Sequence, residues 1–157
     1  MDAALIDTTV DVSPYTLFMV DNVVYGISSK FVLSIEICGK PTPLVNAPYY
    51  TLGILDFRGN VIPLVSLRRL FGLGLREPEF DSTGTQMDEA REMLLVLDVN
   101  GVEKGMVVDE IVSVEYITKF IDMPSNAAKS RYVRSLAKRG KDNSSVLLID
   151  EELIIGL

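Results

Sequence analysis

A chain of 157 residues, 48% hydrophobic and 24% charged, has the size and composition of one globular domain, and can bury about two-thirds of its unfolded surface without a covalent staple. A formal net charge of −7 argues against a general nucleic-acid binder, which presents a basic footprint to phosphates. With no histidine the commonest general base and zinc ligand is missing, and the single cysteine, Cys38, excludes an internal disulfide and any multi-thiolate site.

The opening residues MDAALIDTTVDVS are acidic and lack the basic-then-apolar order of a signal peptide, so residues 1–12 are expected to be a flexible tail on a cytoplasmic domain spanning 13–157. No apolar run approaches the roughly 18 residues needed to span a bilayer. "TLFMVDNVVYGIS" carries two β-rich runs around Asp21-Asn22 and reads as a hairpin. In "SSKFVLSIEI" the serines can cap, and both a short helix and a bent strand fit the spacing. "GILDFRGNVIPLV" is a second hairpin with Gly59 at its tip, and Pro63, which cannot donate to a ladder, is expected at an edge or a bulge. Ser66 can cap a turn over residues 67–71 that Gly72 and Gly74 would stop. Residues 76–91 are polar and punctuated by Gly and Pro, as in an exposed loop between halves. "LLVLDVNGVEKGMVVD" is a third hairpin, turning at Asn100-Gly101. Residues 129–141 hold Lys129, Arg131, Arg134, Lys138, Arg139 and Lys141 with no acid among them, which fits either a solvated strand face or a contact for an acidic partner.

The two halves repeat one pattern. A shift of 79 places Val20, Val23, Gly26, Ser34 and Glu36 on Val99, Val102, Gly105, Ser113 and Glu115. A shift of 81 brings Leu55 and Arg58-Gly59 onto Leu136 and Arg139-Gly140, and after three extra loop residues Leu64 and Ser66 meet Leu148 and Asp150. The expected fold is therefore mainly β, two small barrel-like lobes over 13–75 and 92–157 sharing a core, because each would be marginal alone.

Catalytic sets are thin. Asp109-Glu110 and Asp150-Glu151-Glu152 are adjacent in sequence rather than opposed across a cleft. "DSTGTQMDE" lacks the ligand alternation and the sixth-position glycine of a calcium loop, and "FGLGLRE" follows a helical stretch instead of opening one, so it is no phosphate cradle. No enzyme activity, cofactor or metal is expected.

Residues 47–73, "APYYTLGILDFRGNVIPLVSLRRLFGL", resemble the signature of the CheW-type chemotaxis coupling proteins: a proline-led entry, a glycine, a strand, Asn-x-Arg-Gly, and an apolar-Pro-apolar-apolar-Asp-Leu run. "GMVVDEIVSVEYI" and "YVRSLAKRGKDNSSVLLIDEELI" resemble the family's second half, so the likeness covers nearly all of residues 15–155. The resemblance implies two small five-stranded SH3-like β-barrels with short helices. It also implies a non-catalytic adaptor joining the regulatory domain of a CheA-type histidine kinase to the cytoplasmic tip of a methyl-accepting chemoreceptor, with no nucleic-acid partner and membrane contact only through receptors. A scaffold of the same fold serving a pilus or developmental array is the alternative.

By motif the family's partner-contacting arginine is Arg58, followed by Gly59. A guanidinium on a rigid tip can offer a bidentate fork to a partner carboxylate; the competing reading pairs Arg58 with Asp56 on its own lobe. Asp56 stands where the family has asparagine and Ser66 where it has aspartate. Glu36 resembles the glutamate at the family's kinase-facing surface. Val32 and Ile111, superposed by the repeat, are candidates for an apolar receptor groove between lobes, with plain core packing as the other possibility.

Overall fold

The computed structural model describes residues 13–74, 82–85, 91–121 and 131–157. Residues 1–12, Lys129 and, of the 76–91 loop, 76–81 and 86–90 lie outside that set. Eleven strands run in chain order: β1 (Pro14–Val20), β2 (Val23–Ser28), β3 (Val32–Ile37), β4 (Thr51–Phe57), β5 (Asn60–Ser66), β6 (Met93–Val99), β7 (Val102–Val108), β8 (Glu110–Tyr116), β9 (Lys119–Ile121), β10 (Val133–Lys138) and β11 (Ser145–Ile149). Two short helices, α1 (Leu67–Leu70) and α2 (Glu151–Ile155), follow β5 and β11. Between β2 and β3 the chain makes a 3-10 turn (Ser29–Phe31) and continues as a strand, so both expected conformations occur in succession. The serines do not cap it: Ser28 makes no capping bond, and Ser29 Oγ shares a 2.8 Å hydrogen bond with Thr16 Oγ1.

The three expected hairpins form, each through two central residues of positive φ: Asp21 (52°) and Asn22 (65°), Arg58 (50°) and Gly59 (87°), Asn100 (53°) and Gly101 (84°). That geometry matches the right-handed twist of the strands it joins. Ser66 Oγ accepts from the Arg69 N–H at 3.3 Å and so caps α1, while Gly72 at φ 74° ends it. Asp150 caps α2 in the same way, through the N–H groups of Glu152 and Leu153.

The sheets do not follow the sequence halves. One sheet has the order β8-β1-β2-β11-β10-β9 and the other β3-β6-β7-β5-β4. The expected lobes 13–75 and 92–157 are thus corrected: β3, β4 and β5 join β6 and β7, while β1 and β2 join the strands after Val108. The repeat itself is reproduced down to its irregularities. β1 pairs with β8 through Leu17↔Ser113 and then Phe18↔Ile111, skipping Val112; β6 pairs with β3 through Val96↔Ser34 and then Leu97↔Val32, skipping Leu33. The parallel contacts correspond as well, Gly26↔Leu148 in one sheet and Gly105↔Leu64 in the other.

Each sheet curls around its own apolar cluster. In the first, β8 and β9 are two arms of one strand bent at the fully buried Ile117, pairing with β1 on one arm and β10 on the other. Counted as one bent strand, the two arms give that barrel the expected five strands. In the second, the closing contact is a pair of hydrogen bonds between Thr42 and Ile54, 2.9 and 2.8 Å. Gly53, at φ 147°, permits this approach, since a Cβ there would collide with the Thr42 carbonyl. Pro63 is in an interior strand rather than at an edge; it is tolerated because the parallel ladder to β7 begins one residue later, at Leu64.

Three cores result from strict alternation. Leu17 faces the cluster inside the first barrel with Val146 and Leu148; Leu94 and Val96 face the one inside the second with Ile62 and Leu64. The alternating neighbours Phe18, Leu95 and Leu97 meet between the barrels with Ile27, Met106 and Val108. This explains why β1 and β6 read as continuous apolar runs: both faces are buried. Full burial of each such side chain contributes about 2 kcal/mol.

Candidate functional site

The β4–β5 hairpin carries the Arg58 tip. Asp56 Oδ1 accepts the Gly59 N–H at 2.9 Å, an arrangement repeated on the β6–β7 hairpin, where Asp98 Oδ1 accepts the Gly101 N–H at 2.9 Å. Asp56 therefore builds the turn instead of pairing with Arg58, and an asparagine side-chain oxygen could accept the same bond. The Arg58 guanidinium lies 4.8 Å from the centroid of the buried Phe57 ring. Stacking on a ring leaves the in-plane N–H edges of a guanidinium free for a carboxylate. Asn60 Nδ2 donates to Glu103 Oε1 at 3.0 Å and fastens the tip to β7; Val61, opposite Asp56, is 64% exposed.

Glu36 stands exposed on β3, opposite Leu94. The repeat makes its position instructive, since its equivalent, Glu115, is held by the equivalent of Arg58. Arg139 donates to Glu115 through Nε at 3.1 Å and Nη2 at 2.5 Å, and the Ser113 hydroxyl donates to the same carboxylate. Those bonds hold the Glu115 carboxyl below its usual range and push the Arg139 guanidinium up. Glu36 and Arg58 form no such pair among the described residues. Connection length accounts for the difference. Arg58 is consumed by a two-residue turn with positive φ, whereas the longer β10–β11 connection lets Arg139 extend its strand, with its N–H on the Ser144 carbonyl at 2.9 Å.

Val32 and Ile111 occupy the equivalent bulges of the two barrels, paired with Leu97 and Phe18, and pack partly buried against the central core. They are remote in the pairing scheme from the Arg58 tip, so the six candidates do not assemble into one cluster. Of the basic stretch, Arg139 is taken by Glu115, Lys138 Nζ donates to Ser145 Oγ at 2.8 Å, and Arg134 donates to the Tyr15 hydroxyl at 3.3 Å.

Two polar devices escaped the sequence reading. Arg68, 13% exposed, ties the barrels together: Nη2 meets Asp21 Oδ1 at 3.3 Å, Nε meets Asp109 Oδ1 at 3.1 Å, and Nη1 donates to the Gly74 carbonyl at 3.0 Å. Lys104, 5% exposed, donates to the carbonyls of Ile155 at 3.0 Å and Leu157 at 2.5 Å, at the C-terminal end of α2, and burial lowers its pKa. A lysine at an inward position of β7 was the available signal. No group of three metal-ligating side chains occurs among the described residues, and none of their helices is long and apolar enough to cross a membrane.

Two small interlocked β-barrels with a cation mounted on a rigid hairpin define a duplicated double-barrel scaffold. The chain belongs to the CheW-like domain family, whose model matches residues 14–156. It is 35% identical over 94 residues to a chemotaxis protein CheW of Bacillus subtilis (strain 168), covering 60% of this chain and 54% of that protein. To a probable chemotaxis protein CheW of Rhizobium etli it is 26% identical over 113 residues, covering 72% and 63%. The matches thus span between 54% and 63% of the length of these relatives. The crystal structure of the scaffolding protein TtCheW from Thermoanaerobacter tengcongensis shares the fold, with a TM-score of 0.73 at 21% identity over 89% of this chain and 90% of that one.

Proposed function

We propose that this protein is a non-catalytic adaptor that acts in the cytoplasm, coupling the regulatory domain of a CheA-type histidine kinase to the cytoplasmic tip of a methyl-accepting chemoreceptor. The observation that carries the reading is the Arg58 tip, a guanidinium with no carboxylate partner among the described residues, held over Phe57 on a turn that Asp56 locks. Its free edges suit a partner carboxylate, and the ordering cost on binding is small because the hairpin is already fixed. Family membership and relatives described as chemotaxis proteins support the same partners.

Titration calorimetry against the kinase regulatory domain tests the proposal. Saturable binding by the wild type and at least a tenfold loss in Arg58→Glu, whose circular dichroism is unchanged, is the expected result. A wild type that binds neither the kinase domain nor a receptor-tip fragment sinks the adaptor reading.

A further inference from the structure

The pseudo-symmetry of the fold exposes one place where the two barrels are finished differently. Tyr25 on β2 and Lys104 on β7 are equivalent positions, and Phe71 and Leu73 after α1 are equivalent to Ile155 and Leu157. On the α2 side the end is sealed, because the Lys104 ammonium draws in the carbonyls of Ile155 and Leu157. On the α1 side tyrosine replaces lysine. There a groove of about 530 Å3 remains open between the β1–β2 hairpin, the residues after α1 and the strands β10 and β11.

The walls of this groove are aromatic and aliphatic. Phe18, Tyr25 and Phe71 form a continuous stack, with centroids 6.0 and 5.2 Å apart and interplanar angles of 16° and 28°, running from the central core to the groove. Leu73, Leu147 and Tyr132 line the rest. Its two charged residues differ in their state. Asp21 shares the Arg68 guanidinium, at 3.3 Å, with Asp109 at 3.1 Å. Arg131 lies 5.5 Å from the centroid of the Tyr132 ring and has no carboxylate partner among the described residues. The groove thus holds an unpaired guanidinium, Arg131, beside an apolar floor large enough for one or two side chains.

We infer that this groove is a second docking site, independent of the Arg58 tip, for a partner protein segment that presents a large apolar side chain next to a carboxylate. The apolar group continues the Phe18–Tyr25–Phe71 stack, and the carboxylate pairs with Arg131. Arg131 is exposed in the free protein, so the pair gains weight over an ordinary surface ion pair only as the bound side chain covers it.

The probe is a hexapeptide of phenylalanine and leucine flanked by two glutamates, titrated into the full chain and followed by NMR, with a glutamine version as control. Saturable shifts at Tyr25, Phe71, Tyr132 and Leu147 are expected, with affinity about tenfold lower for the glutamine peptide and for Arg131→Gln, the factor a charge-assisted contact is worth. Tyr49→Ala, at a lining side chain that is 68% exposed and carries no core, should weaken binding several-fold without altering the fold. Arg58→Glu should bind the peptide as the wild type does, which separates this site from the hairpin tip. The absence of saturable shifts, shifts confined to other surfaces, or equal affinity for glutamate and glutamine peptides overturns the proposal.

Discussion

Arg58 sits at φ 50°, a left-handed conformation that costs a non-glycine residue about 1 kcal/mol, while Gly59 meets the turn's other positive φ without that cost. Nothing in the turn's own bonding calls for arginine: the Asp56 carboxylate takes the Gly59 N–H, and the guanidinium merely covers Phe57. On the role proposed for Arg58, stability and partner recognition pull in opposite directions at this one position. Arg58→Gly should raise Tm by about 2–4 °C, the shift expected for ~1 kcal/mol in a domain of this size, while losing kinase binding as fully as Arg58→Glu. A calorimetric scan and a titration on the same sample check both halves; a Gly variant that is less stable would mean that the Phe57 contact outweighs the backbone strain. The sequence showed that Arg58 stood on a tip, because turn chemistry is local. It did not show where the side chain goes, since Asp56, two residues away on the same strand face, remained a competing partner until the turn claimed that carboxylate.

At the scale of elements, one ion pair secures the first barrel. Glu115 on β8 and Arg139 at the end of β10 belong to strands separated by β1, β2 and β11 in the sheet, so their contact spans the curl rather than a ladder. Because hydrogen bonds from Arg139 depress the Glu115 pKa below 4.5, its contribution is fully present above pH 4.5 and is lost as pH falls through the folded value. Thermal melts between pH 5 and 3 should show the wild type losing stability more steeply than Glu115→Gln, and parallel curves would remove this pair from the account. Both side chains keep some solvent contact, which places the contribution at the modest end for ion pairs. The repeat exposed this pair's kinship with Glu36 and Arg58, but only the length of the turns explains why one pair closes and the other stays apart. The hairpins, the Ser66 cap and the Gly72 stop were equally readable, each being set within a few residues.

For the molecule as a whole, the exchange of strands was the part that sequence could not disclose. Duplication appears as matched residues at a fixed shift, yet which copy of a strand joins which sheet is decided by non-local pairing, and β3 fits β6 or β1 equally well by pattern. The consequence is that neither half holds a complete barrel. A fragment of residues 13–75 has β1 and β2 without β8 or β11, and β4 and β5 without β7. It should give the circular dichroism of an unfolded chain, and the spectrum of the intact protein should return when it is mixed with residues 76–157. A cooperatively folded 13–75 fragment would mean that local pairing can substitute for the exchanged partners.

The strands of the second barrel occupy one uninterrupted span, β3 through β7, whereas those of the first are split on either side of it. During synthesis the second barrel has all its strands once Val108 has left the ribosome, but β1 and β2 emerge first, meet β8 only after Tyr116 and complete their barrel with β10 and β11 only after Ile149 has followed. For that interval the nascent chain exposes Leu17, Phe18 and Ile27, all fully buried in the finished protein. Newly made copies are thus most exposed to chaperone capture and aggregation through their earliest hairpin.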